Sequence, residues 1–206
     1  MAYADSAETP QVPSRKNDGV PWLALSTLPE PLATPRFVLE PLSVEHAERD
    51  YEAFMSCRAR LRRELDWRGW PPEGFTLEDN RADLERHDGE LQRREAFAYT
   101  VLDGGRRRCL GCVYLEPCSE DGGGQLAYWL VDDALPAEAD ILEAVLGWCH
   151  DAFDLTRIVL PLRDQNERAI AIARALGLTP WVARRDAILR EHRCFSSTSS
   201  VSKGDG

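Results

Sequence analysis

Three apolar, aromatic-rich runs stand close together in the middle of the chain, at residues 97–102, 109–115 and 125–131. Asp103-Gly104-Gly105, with three arginines behind it, joins the first two; Ser119-Glu120-Asp121-Gly122-Gly123-Gly124 joins the second and third. Short apolar runs with Gly-rich punctuation predict an antiparallel meander. After it, Ile141, Val145, Trp148 and Ala152 form one row at helical spacing and Leu142, Leu146, Cys149 and Phe153 the next, an amphipathic helix. Residues 157–162 read as a buried strand. Residues 166–176 read as a helix with Ala169, Ile172, Ala173 and Leu176 on one face and Gly177 as its stop. Residues 181–189 are expected to form a last strand.

The segment before the meander predicts a strand and a helical flank. Phe37 and Leu39 alternate in a strand stopped by Pro41, and Ser43 opens a helix through Glu45, His46, Ala47 and Tyr51. Trp67-Arg68-Gly69-Trp70-Pro71-Pro72 must be a loop, because paired prolines stop regular structure. Thr76 then caps a helix with Asp79 three residues on. The apolar residues of that helix, Leu77, Leu84 and Leu91, make a narrow stripe, which predicts a helix lying on the surface. Residues 1–33 read as a disordered extension with an apolar island at 20–25, residues 34–190 as one domain, and residues 191–206 as a disordered tail.

Composition narrows the function classes. A chain of 206 residues with 43% hydrophobic residues has material for one core. Its net charge of −10 argues against a nucleic-acid or anionic-membrane partner. No apolar run reaches the ~18 residues of a membrane helix. The N-terminus shows no basic segment leading into an apolar one, so a cytoplasmic location is expected, with the six cysteines as reduced thiols.

The order of these elements, and four segments within it, resemble the GNAT acetyltransferase superfamily, in a divergent bacterial form. Thr34-Pro35-Arg36-Phe37-x-Leu39-x-Pro41-Leu42 is similar to the first strand of the branch that acetylates ribosomal-protein N-termini and related amines. Leu110-Gly111-Cys112-Val113-Tyr114-Leu115 resembles the third strand, Tyr128-Trp129-Leu130-Val131 the fourth, and Asn166-x-x-Ala169-Ile170 through Leu176-Gly177-Leu178 the last helix. The resemblance implies a mixed, mostly antiparallel α/β fold and an acyl-CoA-dependent N-acyltransferase. Acetyl-CoA would be the donor and a small amine or a peptide N-terminus the acceptor, with a homodimer as one assembly the resemblance allows. The other reading is a GNAT-like binding or regulatory module that no longer holds acyl-CoA tightly.

Such a site needs helix-terminal amides for the pyrophosphate, a splayed fourth strand for the pantetheine and thioester, and groups that move protons. The resemblance places the first two requirements at Trp129, Leu130, Val131, Ala137, Ala139 and Asn166. The family's Arg or Gln and its two small residues fall on Pro136, Ala139 and Ile141, and its usual Tyr on Ala173. Glu138 and Asp140 bring acid to the same place, where they would cap the helix. The nearest substitutes for the catalytic Tyr are Glu116, Tyr128 and Tyr114; Glu116 is either a base or a solvated strand-end charge. Trp67, Trp70 and Tyr99 are the acceptor-side candidates, although the two tryptophans could equally cover the sheet. Cys109-x-x-Cys112 invites a metal, but residues three apart on a strand leave by opposite faces; both could bind one metal only if the strand breaks there, and no metal is expected. None of the histidines sits convincingly beside a thiol.

Overall fold

The computed structural model describes residues 21–23, 25–65, 67, 69–118, 123–184 and 187–199. The meander forms as its punctuation requires: β2 (Phe97–Asp103), β3 (Cys109–Pro117) and β4 (Gly124–Leu130) pair antiparallel in sequence order. β1 (Phe37–Pro41) joins the outer edge of β2. The completed sheet has seven strands in the order β1-β2-β3-β4-β5-β7-β6, with β5 at Arg157–Leu162, β6 at Thr179–Trp181 and β7 at Arg193–Thr198.

Helices cover both faces. On one lie α1 (Ala47–Ser56), α2 (Arg58–Glu64) and α3 (Leu77–Gln92). On the other lies α4 (Glu138–Phe153), whose buried Ile141, Leu142, Val145, Leu146, Cys149 and Phe153 are the two rows read from the sequence. α5 (Glu167–Ala175) ends as expected before Gly177, which takes a φ of 77°. The Thr76–Asp79 cap is present: the Asp79 amide donates to Thr76 Oγ1 at 3.2 Å, and Asp79 Oδ2 accepts from the Thr76 amide at 2.8 Å. The apolar island also packs on the domain, with Trp22 6.0 Å from Phe97 between ring centroids.

Three expectations need correction. The last strand is not 181–189: β6 ends at Trp181, the short helix α6 (Ala187–Arg190) follows, and residues assigned to the tail supply β7. β7 carries Cys194, Phe195 and Ser196 buried between β5 and β6, and its many serines and threonine disguised it as tail. Residues 200–206 lie outside the described residues, as do residues 1–20 of the expected extension. Second, α3 is more deeply seated than its three leucines suggest, because Asn80, His87 and Glu90 are buried as well. Counting only apolar residues missed a polar inner face. Third, β3 is not a regular strand. Val101 stands opposite Gly111 but Leu102 stands opposite Cys109, so Leu110 is an extra residue, a β-bulge. Gly111 sits in it at φ 153°, where an added Cβ would lie 2.0 Å from the Trp129 carbonyl oxygen.

No helix among the described residues is long and apolar enough to cross a membrane.

Candidate active site

The sheet opens between β4 and β5. These parallel strands pair only at Gly124↔Ile158 and Gln125↔Val159, and the remainder of β4 has no strand on that side. Backbone alternation shows which groups face the gap. The Val131 amide donates to the Leu110 carbonyl on the β3 side at 2.9 Å, so the peptide edges of Leu130, Tyr128 and Leu126 point the other way. The Leu130 carbonyl agrees, since it accepts from Arg60 of α2. Val131 is therefore not a gap-facing amide, contrary to expectation; Leu130 is.

The wide end of the gap is filled by side chains from both faces. Tyr128 Oη donates to Glu138 Oε1 at 2.8 Å. Arg168, from α5, donates to the other Glu138 oxygen and reaches Glu64 Oε2 at 3.2 Å. Arg60 pairs with Glu64 at 3.0 Å and with Asp132 at 2.6 Å. Glu138 is 1% exposed. A buried carboxylate of this kind survives because both of its oxygens are engaged by a donor, here a phenol and a guanidinium. Burial first, then the neighbouring Glu138 carboxylate, pushes the Tyr128 phenol well above its ordinary value.

Glu138 and Asp140 thus do not cap α4, which has no side-chain cap: Glu138 turns inward and Asp140 pairs with Arg36. A 3-10 turn, Asp132–Ala137, leads directly into α4, with Pro136 inside it. The β4 edge lacks a strand partner where a thioester and pantetheine arm would lie, although the Tyr128–Glu138–Arg168 network fills its mouth. The residues present do not fit a pyrophosphate, because Asp132, Asp133 and Glu138 surround the helix start and no glycine lies in 132–138. Ala137 is the N-cap of α4 and Ala139 lies in its first turn. Asn166 caps α5, its side chain accepting from the Ala169 amide at 3.2 Å. Ala173 is fully buried.

The remaining candidates divide between the faces. β3–β4 register puts Cys112, Tyr114 and Glu116, with Trp129, on the α1–α3 face. Tyr114 Oη accepts from Trp129 Nε1 at 3.3 Å, and burial holds its phenol well above the usual range. Glu116 stands opposite Gln125, at the narrow end of the gap. Tyr128 lies on the α4 side, so the three catalytic candidates do not form one cluster. Trp67 and Trp70 stack at 5.6 Å and pack on Tyr114 and Trp129 respectively, covering the sheet on the α1–α3 face. The Trp70 indole N–H is buried with no hydrogen-bond partner among the described residues. Tyr99 is excluded from the acceptor side: it faces α4, 5.0 Å from Trp148 between centroids, and is 1% exposed. The arginine-rich turn 106–108 is tied down by Arg106–Glu40 at 2.6 Å and by an Arg108–Asp133 pair.

Sequence reasoning missed a second polar cluster. Asp50 of α1 is buried, with Cys112 Sγ donating to its Oδ1 and Asn80 Nδ2 to its Oδ2, both at 3.1 Å. Burial raises the Asp50 carboxyl to about 6, against the opposing hydrogen bonds from Cys112 and Asn80. The parity rule for Cys109 and Cys112 fails because of the bulge. Cys112 is opposite Thr100 and Cys109 opposite Leu102, two residues on one face of β2, so both thiols share the α1 side. A Gly in a strand was the available signal.

Known proteins place this architecture. No curated protein sequence matches the chain. Among solved structures, the ribosomal-protein-S5-alanine acetyltransferase from Vibrio fischeri superposes with a TM-score of 0.67 at 18% identity, covering 84% of this chain and 98% of that one. The ribosomal L7/L12 α-N-protein acetyltransferase RimL, in complex with coenzyme A, gives 0.66 at 17% identity over 82% and 98%. The microcin C7 self-immunity acetyltransferase MccE, in complex with acetyl-CoA and AMP, gives 0.67 at 16% identity over 81% and 94%. These likenesses are of fold. The family model described as acetyltransferase (GNAT) domain matches residues 36–179, and with the split between β4 and β5 in place the chain belongs to the GNAT acetyltransferase family.

Proposed function

We propose that the protein is an acyl-CoA-dependent N-acyltransferase that moves an acetyl group to a small amine or a protein N-terminus. One observation carries this reading: β4 leaves β5 after two residue pairs, so its peptide edge at Leu126, Tyr128 and Leu130 has no strand partner. An acyl-CoA supplies an activated acyl group there. The chain's part is to hold the thioester carbonyl against a backbone N–H of that edge, where low polarity strengthens the hydrogen bond. The acceptor would approach from the α1–α3 face. Glu116, opposite Gln125 where β4 still pairs with β5, would take its proton. Tyr114, two residues away on the same face, is too reluctant an acid to ionise at neutral pH and serves as a hydrogen-bonding wall. The relatives named above, which acetylate ribosomal-protein N-termini or were captured with coenzyme A or acetyl-CoA, support the choice of donor and acceptor class.

A second reading has its own observation. The Arg60–Glu64–Arg168–Glu138–Tyr128 network occupies the mouth through which a pantetheine arm would pass. In a module that has given up the reaction, this network would be a permanent plug. Calorimetric titration with acetyl-CoA, followed by thiol-release assays on amines and short peptides with free N-termini, separates the two. Saturable binding and CoA release lost in Glu116→Gln support the enzyme. No heat at millimolar acetyl-CoA, and no release with any acceptor, leaves the module.

A further inference from the structure

Asp50, Cys109 and Cys112 are gathered by three separate devices. α1 brings the carboxylate down onto β3. The bulge at Leu110 turns Cys109 onto the face of Cys112. Gly111, which alone tolerates the tight approach of the β4 backbone, makes the bulge possible. The result is two thiol sulfurs and a carboxylate oxygen all within 4.8 Å of one another, with every contributing residue buried. We propose that these three residues form a binding site for one Zn²⁺ ion.

The chemistry of the donor set selects the metal. Two thiolates with one carboxylate suit a borderline-soft divalent cation, and hard cations such as Mg²⁺ prefer all-oxygen sets. The dimensions agree. Tetrahedral zinc with Zn–S bonds of ~2.3 Å keeps its ligand atoms about 3.5–3.8 Å apart, which lies within the span of this cluster. Asp50 makes no ion pair among the described residues; a thiol and an amide donate to it directly, and His87 adds only a longer-range attraction. Asn80 Nδ2, which also donates to the Ala47 carbonyl at 3.0 Å, fixes the second carboxylate oxygen and leaves the first aimed at the sulfurs. That is the outer-shell support a metal ligand requires.

Access is also present. Cys109 lies in the wall of an open pocket of about 420 Å³, together with Arg49, Ala53, Ser56 and Val131. Three protein ligands leave a fourth position for water or a small anion from that pocket, and Thr100 Oγ1, 3.5 Å from Cys109 Sγ, gives that sulfur an outer hydrogen-bond partner. Binding forms two Zn–S bonds and one Zn–O bond, and the two thiol protons pass to solvent. Cys118 and Cys149 take no part: Cys118 belongs to a separate core cluster with Cys194, and Cys149 is on α4 across the sheet.

The test uses the full chain, reduced and stripped of metal with a chelator, then titrated with Co²⁺ and afterwards with Zn²⁺. The expected result is one equivalent of Co²⁺ with a thiolate-to-cobalt charge-transfer band, abolished when Zn²⁺ displaces it. X-ray absorption at the zinc edge should give two sulfur scatterers and the rest oxygen. Cys112→Ser and Cys109→Ser should each lose the band, and Asp50→Asn should weaken binding about 10- to 100-fold, the range known for outer-shell partners and a minimum for a ligand. Cys194→Ser should behave as the parent chain. Absence of the band in the folded parent chain overturns the site without recourse to any variant, as does a band that survives in Cys112→Ser or a zinc shell with no sulfur.

Discussion

Tyr128 and Glu138 are ten residues apart and joined at 2.8 Å across the mouth of the β4–β5 gap. The bond ties the free edge of β4 to the first residue of α4. It also orients the carboxylate toward Arg168. Tyr128→Phe should therefore cost about 1.5–3 kcal/mol of stability, the range for a hydrogen bond to a charged group. Glu138→Gln should cost a similar amount, and urea unfolding of both singles and the double variant should give a coupling of about 0.5–3 kcal/mol. Additive losses would mean that the two side chains do not act together.

The helix start offers a gain-of-function counterpart. By the resemblance to the family, Pro136 and Ala139 would fall where a phosphate-binding Arg or Gln and a glycine are expected. Pro136→Arg with Ala139→Gly adds a cation and opens the backbone, so acetyl-CoA affinity should rise about tenfold, equivalent to ~1.4 kcal/mol. The glycine in the first turn should cost up to about 1 kcal/mol of stability. Calorimetry reads the first effect and thermal unfolding the second; unchanged affinity would show that pyrophosphate is not held at this helix.

Gly111 makes the bulge, and the bulge has no room for a side chain. A Cβ there would lie 2.0 Å from the Trp129 oxygen and 2.9 Å from Leu130 Cα, both backbone atoms that cannot move aside cheaply. Gly111→Ala should destabilise by more than ~2 kcal/mol, beyond the usual cost of a surface change. Gly147, within α4 and with nothing within 4 Å of where an added Cβ would lie, is the contrasting position. Gly147→Ala should stabilise the fold slightly, by about 0.4–1 kcal/mol.

These glycines also mark where sequence reading stopped. The meander, α4 and the α5–Gly177 stop were legible because each repeats a local rule: period two, period 3.6, or a left-handed stop. β7 was not, because Ser196, Ser197 and Thr198 are ordered by pairing with β5 rather than by their own hydrophobicity. Of the candidate site, the position of the β4 edge followed from the family pattern. The side of β3 on which Cys109 lies did not, since one bulged residue inverts parity and a bulge is set by the partner strand. The ion-pair network was hidden for a different reason. Arg60, Glu64, Glu138 and Arg168 come from α2, α4 and α5, and no spacing rule links three helices across an open sheet.

The inner face of α3 gives the last expectation, in acid. Glu90 is partly desolvated, which alone would raise its carboxyl, but His87 Nδ1 at 3.2 Å and Arg86 Nη1 at 2.8 Å outweigh burial and lower it to about 2. Its unfolded value is the ordinary 4.5. Between these two values the unfolded chain has taken up a proton that the folded chain has not. The pairing therefore stabilises fully above 4.5, and that contribution is lost as pH falls from 4.5 toward 2. Glu90→Gln, which keeps the shape and cannot titrate, should flatten the slope of unfolding free energy against pH in this window. It should lower stability at neutral pH while narrowing the difference from the parent chain toward pH 2. Urea unfolding at half-unit steps of pH measures both, and parallel curves for the two proteins would show that Glu90 does not contribute to acid sensitivity.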